Sequence, residues 1–185
     1  MNLFFRFLQK ISKFSLKLIP SNYKKNHKFQ NKNQVTNSSI ILLLLKDKMS
    51  PEYILDIGCG HGEWFLKCNK FFPNAKYLLF DGNKLNDEKL ALLKKKYSNL
   101  SYKICLLSDS VKKLNFFNMG YGSSVYEEKT NFPRKVESII SSTLENELTN
   151  LKLTSTNNII KLDVQGSEID VLKGLNKYIQ LFETI

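Results

Sequence analysis

The sequence predicts an α/β fold, a parallel sheet with helices on both faces. Three observations carry this expectation. From residue 50 onward, short apolar runs alternate with helical patterns, as they do where parallel strands are joined by crossover helices. The first run leads into a glycine-rich turn, Gly58-Cys59-Gly60-His61-Gly62. Four strands end near an acid or a glycine, at Asp56-Ile57-Gly58, Asp81, Asp109 and Asp163. A parallel sheet gathers all four ends on one edge, the edge where such sheets bind ligands.

The elements follow in order. Ser38 or Ser39 can cap a short helix over Ile40–Lys48. Tyr53–Ile57 is a mostly apolar run, consistent with a buried parallel strand. Trp64–Phe72 is helical and is broken by Pro73-Asn74. Lys76–Phe80 is a second strand, Asn86–Tyr97 a helix with its lysines outward, and Tyr102–Leu107 a third strand. The alternation then breaks. Lys113–Asn118 reads as an extra strand, Met119–Ser124 as a turn, and Arg134–Ile140 as a strand able to pair back. Thr143–Leu151 is a short helix capped by Thr143. Asn158–Asp163 is a strand and Ser167–Leu175 a helix. Another strand begins at Gln180–Ile185.

Composition narrows the class. The 185 residues are 42% hydrophobic and 24% charged, which excludes a disordered or fibrous chain. The longest unbroken apolar run, Ile40–Leu45, is too short to span a bilayer. Cys59, Cys68 and Cys105 are odd in number and widely spaced. They exclude a disulfide framework and a CxxC metal site, and they fit a reducing, cytoplasmic compartment.

The net charge is +11, which at face value points to nucleic acid or an anionic membrane. Its position changes that reading. Nine cations and no acid precede Asp47, whereas residues 47–185 hold 19 cations and 17 acids, a net of +2. Residues 1–37 therefore read as a basic amphipathic leader helix and linker, and 38–185 as the domain. In the leader, Phe4, Phe7, Leu8, Ile11, Phe14 and Leu18 recur at helical steps opposite Arg6, Lys10, Lys13 and Lys17, and Pro20 stops the pattern. Such a helix either packs its apolar face on the domain or lies on a membrane through residues 1–19, at the inner face. It is a poor signal peptide, since Lys10 and Lys13 interrupt its apolar stretch.

The chemistry concentrates at Asp56-Ile57-Gly58-Cys59-Gly60-His61-Gly62, a D-x-G-x-G-x-G turn between a strand and a helix. This differs from the dinucleotide fingerprint, whose third glycine comes one residue later. Asp56 is placed to pair with a ligand amine or to bind the loop backbone. Asp81 lies 19 residues after Gly62 at the end of the next strand, where an acid accepts hydrogen bonds from ribose hydroxyls. The glycine loop, the amine-facing acid and the ribose acid together fit S-adenosylmethionine better than a dinucleotide.

These residues resemble a known family. DIGCGHG, the acid in LLFDGN, and LLSDS look like the first three motifs of class I methyltransferases. Asn158–Glu168 (NIIKLDVQGSE) followed by Ile169–Gly174 (IDVLKG) is similar to the signature of the FkbM family of methyltransferases. The resemblance covers roughly residues 50–185. It implies a Rossmann-like class I methyltransferase sheet, S-adenosylmethionine as cofactor, and O-methylation of a hydroxyl on a sugar or glycan-like acceptor, with a small molecule or a lipid-linked saccharide as partner. Gln165 stands where the family has Glu. The family's sheet also has further strands, so the chain reads as a fragment or a shortened product.

Roles follow for individual residues. Asp163, at the end of the fourth strand of the sheet, is the first candidate for general base or cation ligand. Its alternative role is to bind the loop backbone. Glu168 is a second catalytic candidate, or else an acid favoured by a helix N-terminus. Asp56, Gly58, Gly60, Gly62, Asp81, Ser108 and Asp109 are the cofactor-binding candidates. For Asp109 the resemblance implies a place beside the adenine. His61 is read mainly as loop packing, Gly166 as a required turn, and Ser123 and Ser124 as shaping the acceptor pocket. Glu168 could also join Asp163 on a divalent cation or hold the acceptor, although no metal site is predicted. A nucleic-acid methyltransferase is the rival enzyme, disfavoured because Asp163-Val-Gln-Gly-Ser replaces the Pro-Pro-aromatic turn of base methylation. A non-catalytic remnant or membrane-associated binding module is the third reading.

Overall fold

The computed structural model describes residues 37–185, apart from 121, 128, 130 and 152. The expected leader helix and linker lie outside the described residues. The chain divides into two units, Met1–Lys48 and Met49–Ile185. The described part of the first unit is a helix, α1 (Asn37–Lys46), which begins before the expected Ile40 and ends on a basic residue.

The second unit contains, in chain order, β1 (Tyr53–Ile57), α2 (Glu63–Cys68), β2 (Lys76–Asp81), α3 (Asp87–Lys96), β3 (Leu100–Ile104), β4 (Lys113–Asn118), β5 (Lys135–Ile140), α4 (Leu144–Leu148), β6 (Ile159–Leu162) and α5 (Glu168–Lys173). Single 3-10 segments cover Lys84–Asn86 and Asn176–Leu181. Four strands form one sheet in the order β3-β2-β1-β6, and every pair is parallel. The order reverses direction between β1 and β6, which makes that gap the switch point of a doubly wound α/β sheet. β4 and β5 form a separate antiparallel hairpin, as the break in the alternation predicts.

β1 is central, and all five of its residues are buried. Side chains alternate across a strand, so β1 feeds two cores. Tyr53, Leu55 and Ile57 pack with Phe80, Ile160, and Leu144, Leu148, Val171 and Leu175 of the α4–α5 side. On the other face, Ile54 is paired in register with Tyr77. The Tyr77 ring meets Phe65 of α2 edge-on at 4.8 Å, and Leu90 of α3 is fully buried. Helices therefore cover both faces of the sheet, as the alternation predicts.

Of the boundaries that differ from expectation, three have a clear packing reason. α2 stops at Cys68, and the chain reaches Pro73 through tight turns. β3 lies earlier than Tyr102–Leu107, because Leu107 leaves the sheet edge and bridges Ser142 instead. Gln180 and Leu181 belong to a 3-10 turn, and the extended segment starts after it. Thr184 then bridges Ile159 in parallel, which places the last residues beside β6 as a fifth strand would lie.

Asn158 joins three segments at the other edge of the sheet. It is fully buried. Its Oδ1 accepts from the Tyr53 amide at 2.9 Å, while Nδ2 donates to the carbonyls of Ser155 (2.7 Å) and Leu181 (2.9 Å). Replacing Asn158→Leu leaves one buried and two partly buried backbone groups without these partners. It is expected to lower the unfolding free energy by about 3 kcal/mol, read from urea titration, and a loss under about 0.5 kcal/mol would contradict this linkage.

Candidate functional site

The carboxyl edge of β1, β2 and β6 opens on a cavity of about 140 Å³. Its walls come from the glycine loop, the end of β2, the β4–β5 turn and the loop after β6. The site is built first from backbone. The amides of Gly58 and Cys59 both donate to the Phe80 carbonyl, at 2.9 and 3.1 Å, bending the loop across the end of β2. Gly58 has φ +71°, and a methyl group there would lie 2.1 Å from the Asp163 carbonyl oxygen. Only glycine permits both that conformation and that approach.

Asp81 organises the neighbouring wall. Its Oδ2 accepts from the Gly60 amide at 2.7 Å. Oδ1 accepts from the Asn83 amide at 2.8 Å and from Asn86 Nδ2 at 3.0 Å. Burial pushes the Asp81 carboxyl above the usual range, opposed by its bonds to Asn83, Gly60 and Asn86. Two carboxylate oxygens offer about four acceptor positions, and the three bonds leave room for one more donor from the cavity. Asn83 in turn exchanges amide hydrogen bonds with Asn118 of β4, at 3.2 and 2.9 Å. The hairpin is thereby fixed to the loop that follows β2.

Asp56 lies behind this wall. It is fully buried and does not line the cavity. The expected amine partner is present, but it belongs to the chain: Lys161 Nζ sits 2.9 Å from Asp56 Oδ1. The two residues are direct partners in the β1–β6 register. The ion pair has no well-aligned hydrogen bond, and Asp56 Oδ2 has no hydrogen-bond partner among the described residues. Burial raises the Asp56 pKa, and Lys161 opposes the shift. Lys161 also donates to the Gly58 carbonyl at 3.1 Å and stands 3.7 Å from Asp163 Oδ2.

The loop after β6 completes the site. Asp163 lines the cavity with a side chain 57% exposed, and its Oδ1 accepts from Gln165 Nε2 at 2.9 Å. Gln165 has φ +55° and Gly166 φ +108°, so the chain makes a left-handed turn at this point. Glu168 supports the turn from beneath. Its carboxylate accepts from the amides of Val164 (3.1 Å) and Gly166 (3.0 Å), and it is not part of the cavity wall. Ser124 Oγ donates to the Gln165 carbonyl at 2.8 Å, and Tyr126 Oη donates to Asp170 at 3.2 Å. The segment between β4 and β5 is thus latched to this loop, with Ser123 and Ser124 facing the cavity.

The structure brings Gly58, Gly60, Asp81 and Asp163 to one cavity and leaves other candidates outside it. Gly62, with φ +83°, serves packing: a methyl group there would lie 2.5 Å from Leu93 of α3. Ser108 is buried away from the cavity, its carbonyl 2.1 Å from where a Gly174 methyl would be. Asp109 pairs with Lys112 at 2.6 Å. His61 lies 3.3 Å from Lys89 and 3.5 Å from Glu63, also off the cavity wall. Sequence reading missed Lys161, Asn83 and Asn86, and also Phe116 of β4, which lines the cavity. Of these, Lys161 had a readable signal, since a cation inside the apolar run NIIKLD needs a buried partner.

Among the described residues, no cluster of His, Cys, Asp and Glu is arranged to hold a metal, and no helix is long and apolar enough to cross a membrane. No protein-family model matches the chain, and no curated protein does. Among solved structures, it is similar to coclaurine N-methyltransferase bound to N-methylheliamine and SAH, at 17% identity and a TM-score of 0.32, over 40% of this chain and 24% of that one. It is also similar to precorrin-6y C5,15-methyltransferase from Geobacter metallireducens GS-15, at 12% identity and a TM-score of 0.39, over 78% of this chain and 58% of that one. The chain spans less than two thirds of either structure. Both likenesses are distant, and the doubly wound α/β class rests on this chain's own strand order.

Two outcomes follow from this geometry. Gly58→Ala is expected to cost about 3 kcal/mol or more, because a strained φ and a backbone collision coincide; near-wild-type stability in urea would contradict the crossing. The Asp109 carboxyl is held down to about 2 by hydrogen bonds from Lys112 and Ser110, aided by Ser108. A lowered acid stabilises the fold above its unfolded pKa and loses that contribution as pH falls through its folded value. Asp109→Asn should therefore flatten the fall in stability between about pH 4 and pH 2, measured by urea unfolding across that range.

Proposed function

We propose that this chain is an S-adenosylmethionine-dependent O-methyltransferase acting on a hydroxyl of a sugar or glycan-like acceptor. The observation that supports it most is the convergence of Gly58, Gly60, Asp81 and Asp163 on one cavity at the switch point of the sheet. The donor set fits the cofactor. Asp81 keeps an acceptor position for a ribose hydroxyl, and the glycine loop presents backbone free of side chains. Phe80, Leu106 and Leu107 offer apolar wall for a base. When bound, the cofactor would supply an electrophilic methyl group on a sulfonium sulfur.

The protein's own residues do the rest. Asp163 accepts the proton of the attacking hydroxyl, its carboxylate oriented by Gln165 and its loop held by Glu168. In this reading Glu168 is a positioning residue. Ser123, Ser124 and Gln165 add hydroxyl and amide groups to the lining of the cavity that also holds Asp163, a lining suited to a polyhydroxylated acceptor. A lipid-linked saccharide would suit the basic leader, whose cations precede the domain.

Calorimetric titration with S-adenosylhomocysteine tests the cofactor. The wild-type chain should bind it, Asp81→Ala should weaken binding by about tenfold or more, and Asp163→Asn should leave affinity near wild type. With an accepted saccharide, Asp163→Asn should lower turnover by about 100-fold or more. A folded wild-type chain that takes up no cofactor would overturn the reading.

A further inference from the structure

The ion pair behind the cavity has a consequence for the site in front of it. Asp56 and Lys161 face each other across β1 and β6 at the switch point. A buried carboxylate costs several kcal/mol unless it is paired, so the ammonium is needed there on charge grounds alone. Yet one ion pair does not use the whole group. Lys161 Nζ carries three N–H donors. One is directed to the Gly58 carbonyl at 3.1 Å, and Asp163 Oδ2 lies 3.7 Å away. Three segments thus share one cation: the buried end of β1, the first turn of the glycine loop, and the residue that follows β6.

The same three segments meet a second time through backbone. Gly58 lies against the Asp163 carbonyl, and the Asp163 amide donates to the Ile57 carbonyl at 3.0 Å. The ammonium therefore sits where the glycine loop and the Asp163 loop are already in contact, and its side chain is only 20% exposed.

We infer that Lys161 is a positioning residue, whose ammonium holds the Gly58 turn and Asp163 in fixed register and so sets the distance between cofactor loop and base. The register rests on the chain's own contacts; only its use in methyl transfer rests on the function proposed above. The ammonium also occupies the place beside Asp56 that a ligand amine would otherwise take. A bound ligand is consequently recognised by the glycine-loop backbone and Asp81, with Asp56 excluded from contact.

Removing Lys161 alone strands the buried Asp56, so Lys161→Met by itself confounds loop position with the cost of an unpaired buried charge. The informative protein is the full chain carrying Asp56→Asn together with Lys161→Met, a neutral pair of similar size that such sites tolerate. Amide hydrogen exchange reads the loop without any ligand. In the double variant, the amides of Gly58, Cys59 and Gly60 should exchange about tenfold faster while those of Leu55 and Leu79 keep their protection. S-adenosylhomocysteine affinity should fall by about tenfold in parallel. Lys161→Arg, which keeps the cation, should restore part of the loop protection. Unchanged loop exchange in a folded double variant would overturn the inference and reduce Lys161 to charge balance. Faster loop exchange in a protein whose wild type binds no cofactor would instead sustain the inference and defeat the functional reading.

Discussion

The site depends on one close approach. β1 and β6 lie side by side at the switch point, and just beyond their paired residues the Gly58 backbone meets the Asp163 carbonyl. A side chain at residue 58 would push the two loops apart. Because they touch, the glycine loop can cross the end of β2 and receive Asp81, while Asp163 faces the same cavity. The remaining features hold that approach in place. Glu168 fixes the turn after β6 from below, and Ser124 fixes it from the hairpin side.

Charge is arranged around this crossing in two layers. Asp56 is behind it, desolvated and neutralised by Lys161. Asp81 and Asp163 are in front, one satisfied mainly by amides and the other open to solvent. Replacing a buried ion pair by an apolar pair of the same volume is often neutral in stability. What the Asp56–Lys161 pair adds is geometric: it specifies which residues of β1 and β6 stand opposite one another, and a one-residue slip would bury Asp56 without its partner.

Much of the fold was legible because it is local. β1, β2 and β6 are short apolar runs with punctuated ends, and the Thr143 cap is written in adjacent residues, its Oγ1 accepting from the Asn146 amide at 3.2 Å. The hairpin of β4 and β5 was readable from the break in alternation. Side-chain roles were harder, because a parallel sheet joins residues far apart in sequence. In sequence Asp56 fits a ligand amine or the loop backbone as partner, whereas the amine it meets belongs to Lys161 in the neighbouring strand. Gly62 belongs to the same motif as Gly58, yet its space is filled by Leu93; a positive φ required by packing leaves the same trace in sequence as one required by a ligand. β3 was misplaced because Leu106 and Leu107 are as apolar as strand residues while they turn away to meet the segment before α4.

The net charge of +11 also divides by position. Within the described domain, Lys84, Lys94, Lys95 and Lys103 line a shallow groove together with Asp87 and Tyr102, and this groove shares no lining residue with the cavity at the strand ends. The two surfaces separate the nucleotide-cofactor reading from an electrostatic one. Amide chemical-shift mapping during titration with S-adenosylhomocysteine tests the account most directly. The account predicts that shifts centre on Gly58, Gly60, Asp81 and Asn83 and extend to Asp163, with Lys94 and Lys103 unmoved. Shifts confined to the lysine groove, or none in a folded protein, would contradict it.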